Sequence, residues 1–350
     1  MKFNIFQKRQ PCFGIHLNGT ALKFVQLDKK RDKVSFLGYS NVPLPKNLIT
    51  NDTILDANAL AKLIQQSLVR PQFGRITTNR VVVSVPESKS FIRVIQIPEM
   101  SESQAENAVM FEAEAYIPLP MDQVYFDWQI LRREGGKMEV LIIASPKEFV
   151  DKYLAAMEKI NLKLVGVEVE SQGVVRTLIK PGSEENTLIA DLDAYKTALI
   201  MVVRGSLQFT SSIPIAGNNF TDRIAQALTV PTVKAEAIKR EFGLANTTEY
   251  PNLKTYLLPV VNDLAAEIKN ILHFHYDHSE QKITKLLLSG GSAKVKHLDE
   301  YLAPMLTDFP ELKVEVANPL ANLGNLAATT LTPYEALSFT TAIGLALRNL

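Results

Sequence analysis

Apolar and polar positions along this chain twice read as a short strand, a polar break and a second strand. The first instance is Phe13-Gly14-Ile15-His16-Leu17, then Asn18-Gly19-Thr20, then Ala21-Leu22-Lys23-Phe24-Val25-Gln26-Leu27. The second opens on Leu188-Ile189-Ala190-Asp191-Leu192, turns through Asp193-Ala194-Tyr195-Lys196 and closes on Thr197-Ala198-Leu199-Ile200-Met201-Val202-Val203. Both patterns predict β-hairpins. A third signal is Lys285-Leu286-Leu287-Leu288-Ser289 followed by Gly290-Gly291-Ser292. It predicts a buried strand ending in a turn that needs a positive φ.

Between these landmarks the period switches. Lys33–Gly38 reads as a third strand, and a Pro-containing loop at Asn41–Lys46 leads to a helix over Asp56–Val69, with Leu60, Leu63, Ile64 and Leu68 at helical spacing. Arg80–Val85 is a nearly continuous β-branched run, hence a buried strand, and Phe91–Ile97 alternates as another. Ser101 and Gln104 form the S-x-x-Q box that opens a helix, which ends before Pro118. Strands at Val124–Leu131 and Glu139–Ala144 meet at Gly135-Gly136, and a helix at Lys147–Lys159 and a strand at Lys163–Val169 follow. Residues 98–165 therefore read as an inserted α+β unit.

A helix at Gln172–Lys180 leads into the second hairpin, and Ser206–Ile215 adds a strand. Helices at Asn219–Leu228, Lys234–Phe242 and Val260–Tyr276 fill 218–280, the last with Val261, Leu264, Ile268 and Leu272 on one face. Beyond the Gly-Gly turn come a helix at His297–Leu306, a strand at Lys313–Val316, the turn Asn318-Pro319 and a final helix over Pro333–Arg348. Two strand-led halves that cross over through helices predict two α/β lobes with a shared ligand cleft.

Composition narrows the function classes. At 350 residues the chain is long enough for two domains, and 46% hydrophobic with 21% charged residues describes a folded, soluble protein. A net charge of +1 leaves no electrostatic footprint for nucleic acid. The single cysteine, Cys12, excludes a disulfide framework and fits a reducing cytoplasm. No apolar run reaches membrane-spanning length, and Met1–Pro11 lacks a signal-peptide core. Phe3, Ile5 and Phe6 beside Lys8 and Arg9 read as a flexible terminus or a weakly adhesive tail.

The candidate chemistry sits in the turns. Gly14, Asn18, Gly19 and Thr20 suit a phosphate cradle, because Gly and Asn tolerate turn geometry and Thr adds a hydroxyl; the plainer account is an ordinary hairpin turn. His273, His275 and His278 with Asp277 resemble a metal cluster but lack a third convergent ligand, and histidines at a helix end answer to the carboxyl dipole. Tyr125, Phe126 and Trp128 suit either a peptide groove or a core. No nucleophile elbow or Walker A motif is present.

Several stretches carry a resemblance: Phe111–Pro120, Val169–Arg176, Ile213–Thr221, Leu288–Ala293 and Val316–Pro319. They are similar to the actin/Hsp70/FtsA ATPases, which share a ribonuclease H-like fold. More closely they resemble the PilM family, actin-like proteins of type IV pilus assembly. The resemblance implies lobe 1 (subdomain 1A) from 13–97, 166–186 and 333–350, an inserted subdomain (1C) at 98–165, lobe 2 (2A) from 187–217 and 281–332, and a helical subdomain (2B) at 218–280. It implies ATP held by Gly14, Asn18, Gly19, Thr20, Lys23, Asp191, Lys196, Thr197, Gly217, Gly290, Gly291 and Ser292. Mg²⁺ would be held through water near Asp191, and Glu170 would position the attacking water. The implied partners are the cytoplasmic N-terminal tail of a PilN-like inner-membrane protein and the pilus motor ATPases, with homo-oligomers or a ring beneath the membrane.

Two positions depart from the family pattern. The first hairpin carries His16 where an aspartate would orient metal-bound water, and Asp193 replaces a glycine in the second. A carboxylate at Asp193 repels a γ-phosphate, and Lys196 nearby offsets it. Glu170 otherwise reads as a favourable charge at a helix N-terminus. The expectation is a cytoplasmic scaffold held at the inner membrane by its partners, possessing little or no ATPase activity. The alternatives are an FtsA-like membrane-associated polymer, a true phosphotransferase and a type II secretion counterpart. The first calls for a basic amphipathic C-terminal helix, where this sequence has Arg348-Asn349-Leu350 after a packed helix.

Overall fold

Short β-branched and aromatic runs fix the strands, and the longer periodic segments between them coil into helices. The computed structural model describes residues 10–31, 33–45, 48–50, 52–327, 329 and 331–350. The first hairpin is β1 (Phe13–Leu17) and β2 (Ala21–Lys30), extended by β3 (Lys33–Pro43). Short strands β4 (Ile49–Thr50) and β5 (Thr53–Ile54) precede α1 (Ala57–Val69), whose first turn is capped by Asp56 accepting from the Asn58 and Ala59 amides. Next are β6 (Phe73–Gly74), β7 (Arg80–Val85), β8 (Phe91–Pro98) and α2 (Glu102–Glu114), where Gln104 reaches back to the Ser101 amide. β9 (Val124–Glu134), β10 (Lys137–Pro146), α3 (Lys147–Glu158), β11 (Lys163–Val169) and α4 (Glu170–Leu178) follow.

The chain continues with β12 (Thr187–Leu192), β13 (Thr197–Val203), β14 (Ser206–Ile213), α5 (Gly217–Leu228), α6 (Thr232–Phe242) and α7 (Leu253–His278). It ends with β15 (Lys285–Ser289), α8 (Leu298–Leu302), β16 (Lys313–Val316), β17 (Asn325–Leu326), α9 (Pro333–Ala336) and α10 (Thr340–Leu347). No described helix is long and apolar enough to cross a membrane. The tail bearing Phe3, Ile5, Phe6, Lys8 and Arg9 lies outside the described residues, as does Lys46 of the expected loop.

Two compact units result. Unit 1 takes the described residues up to Thr177, with Leu320–Thr332 and Phe339–Leu350. Its seven-stranded sheet runs β11-β7-β1-β2-β3-β17, with β6 also on β3. β1, β7 and β11 are parallel, whereas β1, β2 and β3 form an antiparallel meander. Phe13, Ile15 and Leu17 share one core with Leu60 and Ile64 of α1 and Phe149, Tyr153 and Met157 of α3. Gly14, pointing the other way, meets α10.

A separate sheet, β8-β10-β9, packs Ile95, Met138, Val140 and Ile142 against Ala105, Val109 and Ala113 of α2. This layer runs from Phe91 to Pro146 rather than over 98–165. β8 pairs with β10, whereas β11 pairs with β7 and α3 joins the larger core. Periodicity identifies a strand but not the sheet it joins.

Unit 2 comprises Leu178–Pro319 and Pro333–Ser338. Its sheet runs β14-β13-β12-β15-β16, with β12, β15 and β16 parallel and β12, β13 and β14 antiparallel. The strand pattern of unit 1 is thus repeated. α7 starts at Leu253 and runs through Pro259, not after it. Pro259 removes one helical hydrogen bond, but Leu253 and Leu257 before it and Val260, Val261 and Leu264 after it are all buried, and that packing prevails. α8 stops at Leu302 because Pro304 tightens the chain into a 3-10 turn. The expected last helix divides into α9, a 3-10 turn at Leu337–Phe339 and α10, and the unit boundary falls between Ser338 and Phe339. Leu320–Thr332 belongs to unit 1, since β17 pairs with β3.

α10 is buried from Thr340 to Ala346. A Cβ on Gly344 would lie 1.8 Å from the Gly173 carbonyl oxygen of α4, and one on Gly14 would lie 2.5 Å from that of Ala342. An ionic clamp closes the same assembly. Glu168 accepts from Arg176 at 2.6 and 2.9 Å and from Arg348 at 2.9 Å, while Arg176 donates to the Gly344 carbonyl at 2.8 Å.

Removing the shared carboxylate by Glu168→Ala should destabilise unit 1 by about 2–4 kcal/mol. The two arginines keep some surface in water, so the effect falls short of that at a wholly dry site. An unchanged urea midpoint would contradict this. Gly344→Ala should cost about 1–3 kcal/mol, because neither backbone can retreat without opening the core. A melting temperature equal to that of the natural chain would show that the crossing relaxes freely.

Candidate functional site

Open α/β sheets bind ligands outside the carboxyl ends of their parallel strands. In unit 1 those ends are Leu17 of β1, Val85 of β7 and Val169 of β11. Just beyond β1, Asn18 organises the turn: its Oδ1 accepts from the Thr20 amide at 3.1 Å, the Thr20 hydroxyl at 3.0 Å and the Ala21 amide at 2.9 Å. Asn18 and Thr20 are thereby committed to the shape of the loop, with Gly19 between them. Gly14 lies deeper in β1, where the close approach of α10 explains its missing side chain.

His16 and Lys23 stand directly opposite each other in the β1–β2 pairing, so their side chains share one sheet face, and both are buried. His16 Nε2 lies 3.2 Å from Glu170 Oε1 at the start of α4. A carboxylate only accepts, so the imidazole N–H donates. His16 Nδ1 is buried without a hydrogen-bond partner. Glu87, just past β7, accepts the Ser171 amide at 2.8 Å and so caps the same helix. Burial first, and then the negative charges of Glu170 and Asp52, push the Tyr153 phenol far above its ordinary range.

Unit 2 presents its own cluster at the ends of β12 and β15. The hairpin turn closes through the Asp193 amide donating to the Lys196 carbonyl at 3.0 Å. Two amides at the start of α5 hold that turn, Gly217 donating to the Asp193 carbonyl at 2.9 Å and Asn218 to the Ala194 carbonyl at 2.8 Å. The Ser292 hydroxyl donates to the same Asp193 carbonyl at 2.9 Å, and a Cβ on Gly217 would strike it. Thr197 Oγ1 donates to the Ile215 carbonyl at 2.6 Å. Gly290 has φ 85°, the predicted positive value, while Gly291 opens a 3-10 turn. Asp191 is buried at the end of β12. The sequence-predicted residues of this half are therefore gathered, and Gly217, Thr197 and Ser292 serve first to brace the hairpin.

The sequence reading passes over Glu87 and over an ion pair behind α5, in which Lys239 is buried and Glu236 half-buried. Lys239 of α6 donates to the Gly217 carbonyl at 3.0 Å and to the Thr221 hydroxyl at 2.9 Å, and lies 2.6 Å from the Glu236 carboxylate. Burial pushes the Lys239 ammonium below its ordinary range. Burial also opposes ionisation of Glu236, but hydrogen bonds from Lys239 and Thr221 outweigh it and leave that carboxyl lower than usual. A lysine flanked by buried Ala235 and Ile238 was the available signal.

The other candidates disperse. Phe126 and Trp128 pack onto the core beneath α2, while Tyr125 stays exposed and donates to Asp151 at 2.8 Å. His273 packs on Phe309, and His275 and His278 bond the separate carbonyls of Gln281 and Phe274. Among the described residues no group of three or more His, Cys, Asp or Glu side chains is placed to hold a metal. The Mg²⁺ implied by resemblance fits unit 1 poorly: position 16 offers an imidazole, and that imidazole donates to the Glu170 carboxylate.

A family model described as type IV pilus assembly protein PilM matches residues 14–350. Among curated relatives, the cell division protein FtsA of Streptococcus pneumoniae serotype 2 is 20% identical over 316 residues, covering 83% of this chain and 65% of its own. The type II secretion system protein L of Xanthomonas campestris pv. campestris is 27% identical over 157 residues, covering 44% of this chain and 36% of its own. The chain thus spans less than two thirds of the length of either relative. Among solved structures, a PilM-PilN type IV pilus biogenesis complex matches with TM-score 0.81 and 24% identity, covering 97% of this chain and 99% of that one. MreB5 of Spiroplasma citri bound to AMPPNP matches with TM-score 0.55 and 12% identity, covering 95% and 94%. The fold is that of the actin-like ATPases, and the family match extends almost end to end: the chain belongs to the PilM family of type IV pilus assembly proteins.

Proposed function

We propose that this chain is a scaffold that takes up the cytoplasmic N-terminal tail of a PilN-like inner-membrane protein, is held at the membrane by that partner, and binds adenine nucleotide with little or no hydrolysis. The observation that carries this reading is the near-complete structural likeness to the PilM-PilN complex, supported by the family match. The likeness to an AMPPNP-bound actin-like protein supports the nucleotide. Slow turnover follows from the residues of unit 1. The acid that the resemblance assigns to orienting a water is Glu170, and its carboxylate accepts from His16.

We assign the tail to the exposed apolar side chains of α2, the helix packed on the β8-β10-β9 layer. Phe111 of α2 is 76% exposed, the highest value among its exposed apolar neighbours Met110 and Tyr116. Large side chains held out in water beside acidic Glu112 and Glu114 suit an apolar anchor with a polar rim. Nucleotide acts by favouring one arrangement of the protein, and tail affinity then depends on it.

Calorimetry with a peptide copying the partner's cytoplasmic tail tests this. We expect saturable binding that a scrambled peptide lacks, weakened roughly tenfold by Phe111→Ala, about 1.4 kcal/mol. Absence of binding by every tail peptide would remove the scaffold reading, and an unaffected Phe111→Ala variant would move the surface elsewhere. Phosphate release from ATP should stay near the uncatalysed background with or without the peptide; brisk turnover would restore Glu170 as a working catalytic acid.

A further inference from the structure

The candidate site lies at the carboxyl ends of the unit 1 parallel strands. The opposite, amino-terminal end of the same sheet is basic and takes no part in the function above. β2 runs on past the start of β1, because Phe13 stands opposite Gln26 and the β2–β3 pairing continues to Lys30 against Lys33. The hairpin so extended carries Lys29, Lys30, Arg31 and Lys33, all exposed. Lys30 keeps 87% of its side chain in water and is tied to Asp28 only at 3.7 Å, a contact that holds little. β7 and β11 begin at this end as well, where Arg80 stands opposite Lys163, itself exposed. The nearest acids in sequence are Asp28, Asp32 and Glu158. The chain also enters β1 here: the Pro11 carbonyl accepts from the hydroxyl of Thr78, two residues before β7, at 3.2 Å. Residues 1–9 therefore join the sheet at its basic end. They contribute Lys2, Lys8 and Arg9 together with Phe3, Ile5 and Phe6, and no acid. In a chain whose net charge is only +1, this is a local concentration of cations. A DNA duplex offers phosphates to such cations but little to the apolar side chains, whereas the headgroup–acyl boundary of a bilayer takes both.

We propose that the amino-terminal end of the unit 1 sheet lies against an anionic lipid surface, the β2–β3 hairpin supplying charge and residues 1–9 the apolar contact. Neither part suffices: a short apolar element gives marginal, reversible binding, and stable attachment takes a second, basic signal. Each Lys or Arg at such a surface strengthens partitioning about fivefold. This goes beyond the function proposed above, in which the partner holds the chain at the membrane. It can fail without touching that reading, because bare vesicles carry no partner.

The test is sedimentation of the whole chain with vesicles, of phosphatidylcholine alone or with phosphatidylglycerol added to about a third. The natural chain should bind the anionic vesicles roughly tenfold or more tightly than the neutral ones, and raising the salt should weaken that binding. The triple variant Lys29→Ser, Lys30→Ser, Arg31→Asn should lose roughly tenfold or more on anionic vesicles. Asparagine suits position 31, where φ is 56°. Phe3→Ser with Phe6→Ser should lose a comparable factor at low and at high salt alike. Circular dichroism checks that both variants keep the natural fold. Equal binding to neutral and anionic vesicles, no binding to either, or a hairpin variant as tight as the natural chain overturns the proposal. So does hairpin-dependent binding of a random-sequence DNA duplex by a chain that ignores vesicles, which would make the patch a nucleic-acid surface.

Discussion

The close crossing of α10 over α4 and β1 is the constraint from which the rest of unit 1 follows. Seven consecutive residues of α10 are buried, and the helix can approach only because Gly344 meets Gly173, and Gly14 meets the turn at Ala342. Small residues at a crossing let backbones touch, so dispersion contacts accumulate over the whole length of the helix. Glu168 then joins the C-terminal end of β11 to α4 and to Arg348 just beyond α10, which fixes where α4 begins. The position of Glu170 is consequently set by packing some distance from it, and its contact with His16 inherits that precision.

In both units the polar residues collect where parallel strands end, and in both the turn is held from within by the protein itself. Asn18 accepts three donors in the first hairpin. In the second, the Asp193 carbonyl receives both Gly217 and Ser292. Such turns are stiff, and a stiff turn binds with little ordering cost. Buried Lys239, paired with Glu236, extends this stiffness to the start of α5, through the Gly217 carbonyl.

Much of the fold was legible because strand alternation and helix capping are local. β7 and the α2 capping box stand where the sequence places them. Tertiary choices were not legible. Nothing in Lys163–Val169 says that it pairs with β7 rather than with β10, and nothing in Leu253–Leu257 announces that buried leucines will carry a helix through Pro259. At the site, the hairpin turns and Gly290 were readable from residue type. That Gly14 sits against α10 was not legible, because that helix lies hundreds of positions away in sequence. Glu87 and Lys239 went unseen because a buried charge looks like a solvated one until its surroundings are known.

Unit 1 is assembled from segments far apart in sequence, the described residues up to 177 together with 320–332 and 339–350. Until residues 339–350 have been made, β1 and α4 lack the helix that fits between them. The intervening stretch 178–319 has already emerged by then, with both its sheet edges and its helices α5–α7 present. Domains tend to settle as they appear. For this chain most of unit 2 lies in one uninterrupted stretch, 178–319, whereas unit 1 cannot close until α10 has been made. A bulky fusion or a trimmed end at Arg348 would therefore be felt not at the tail but at His16 and Glu170, on the far side of the primary structure.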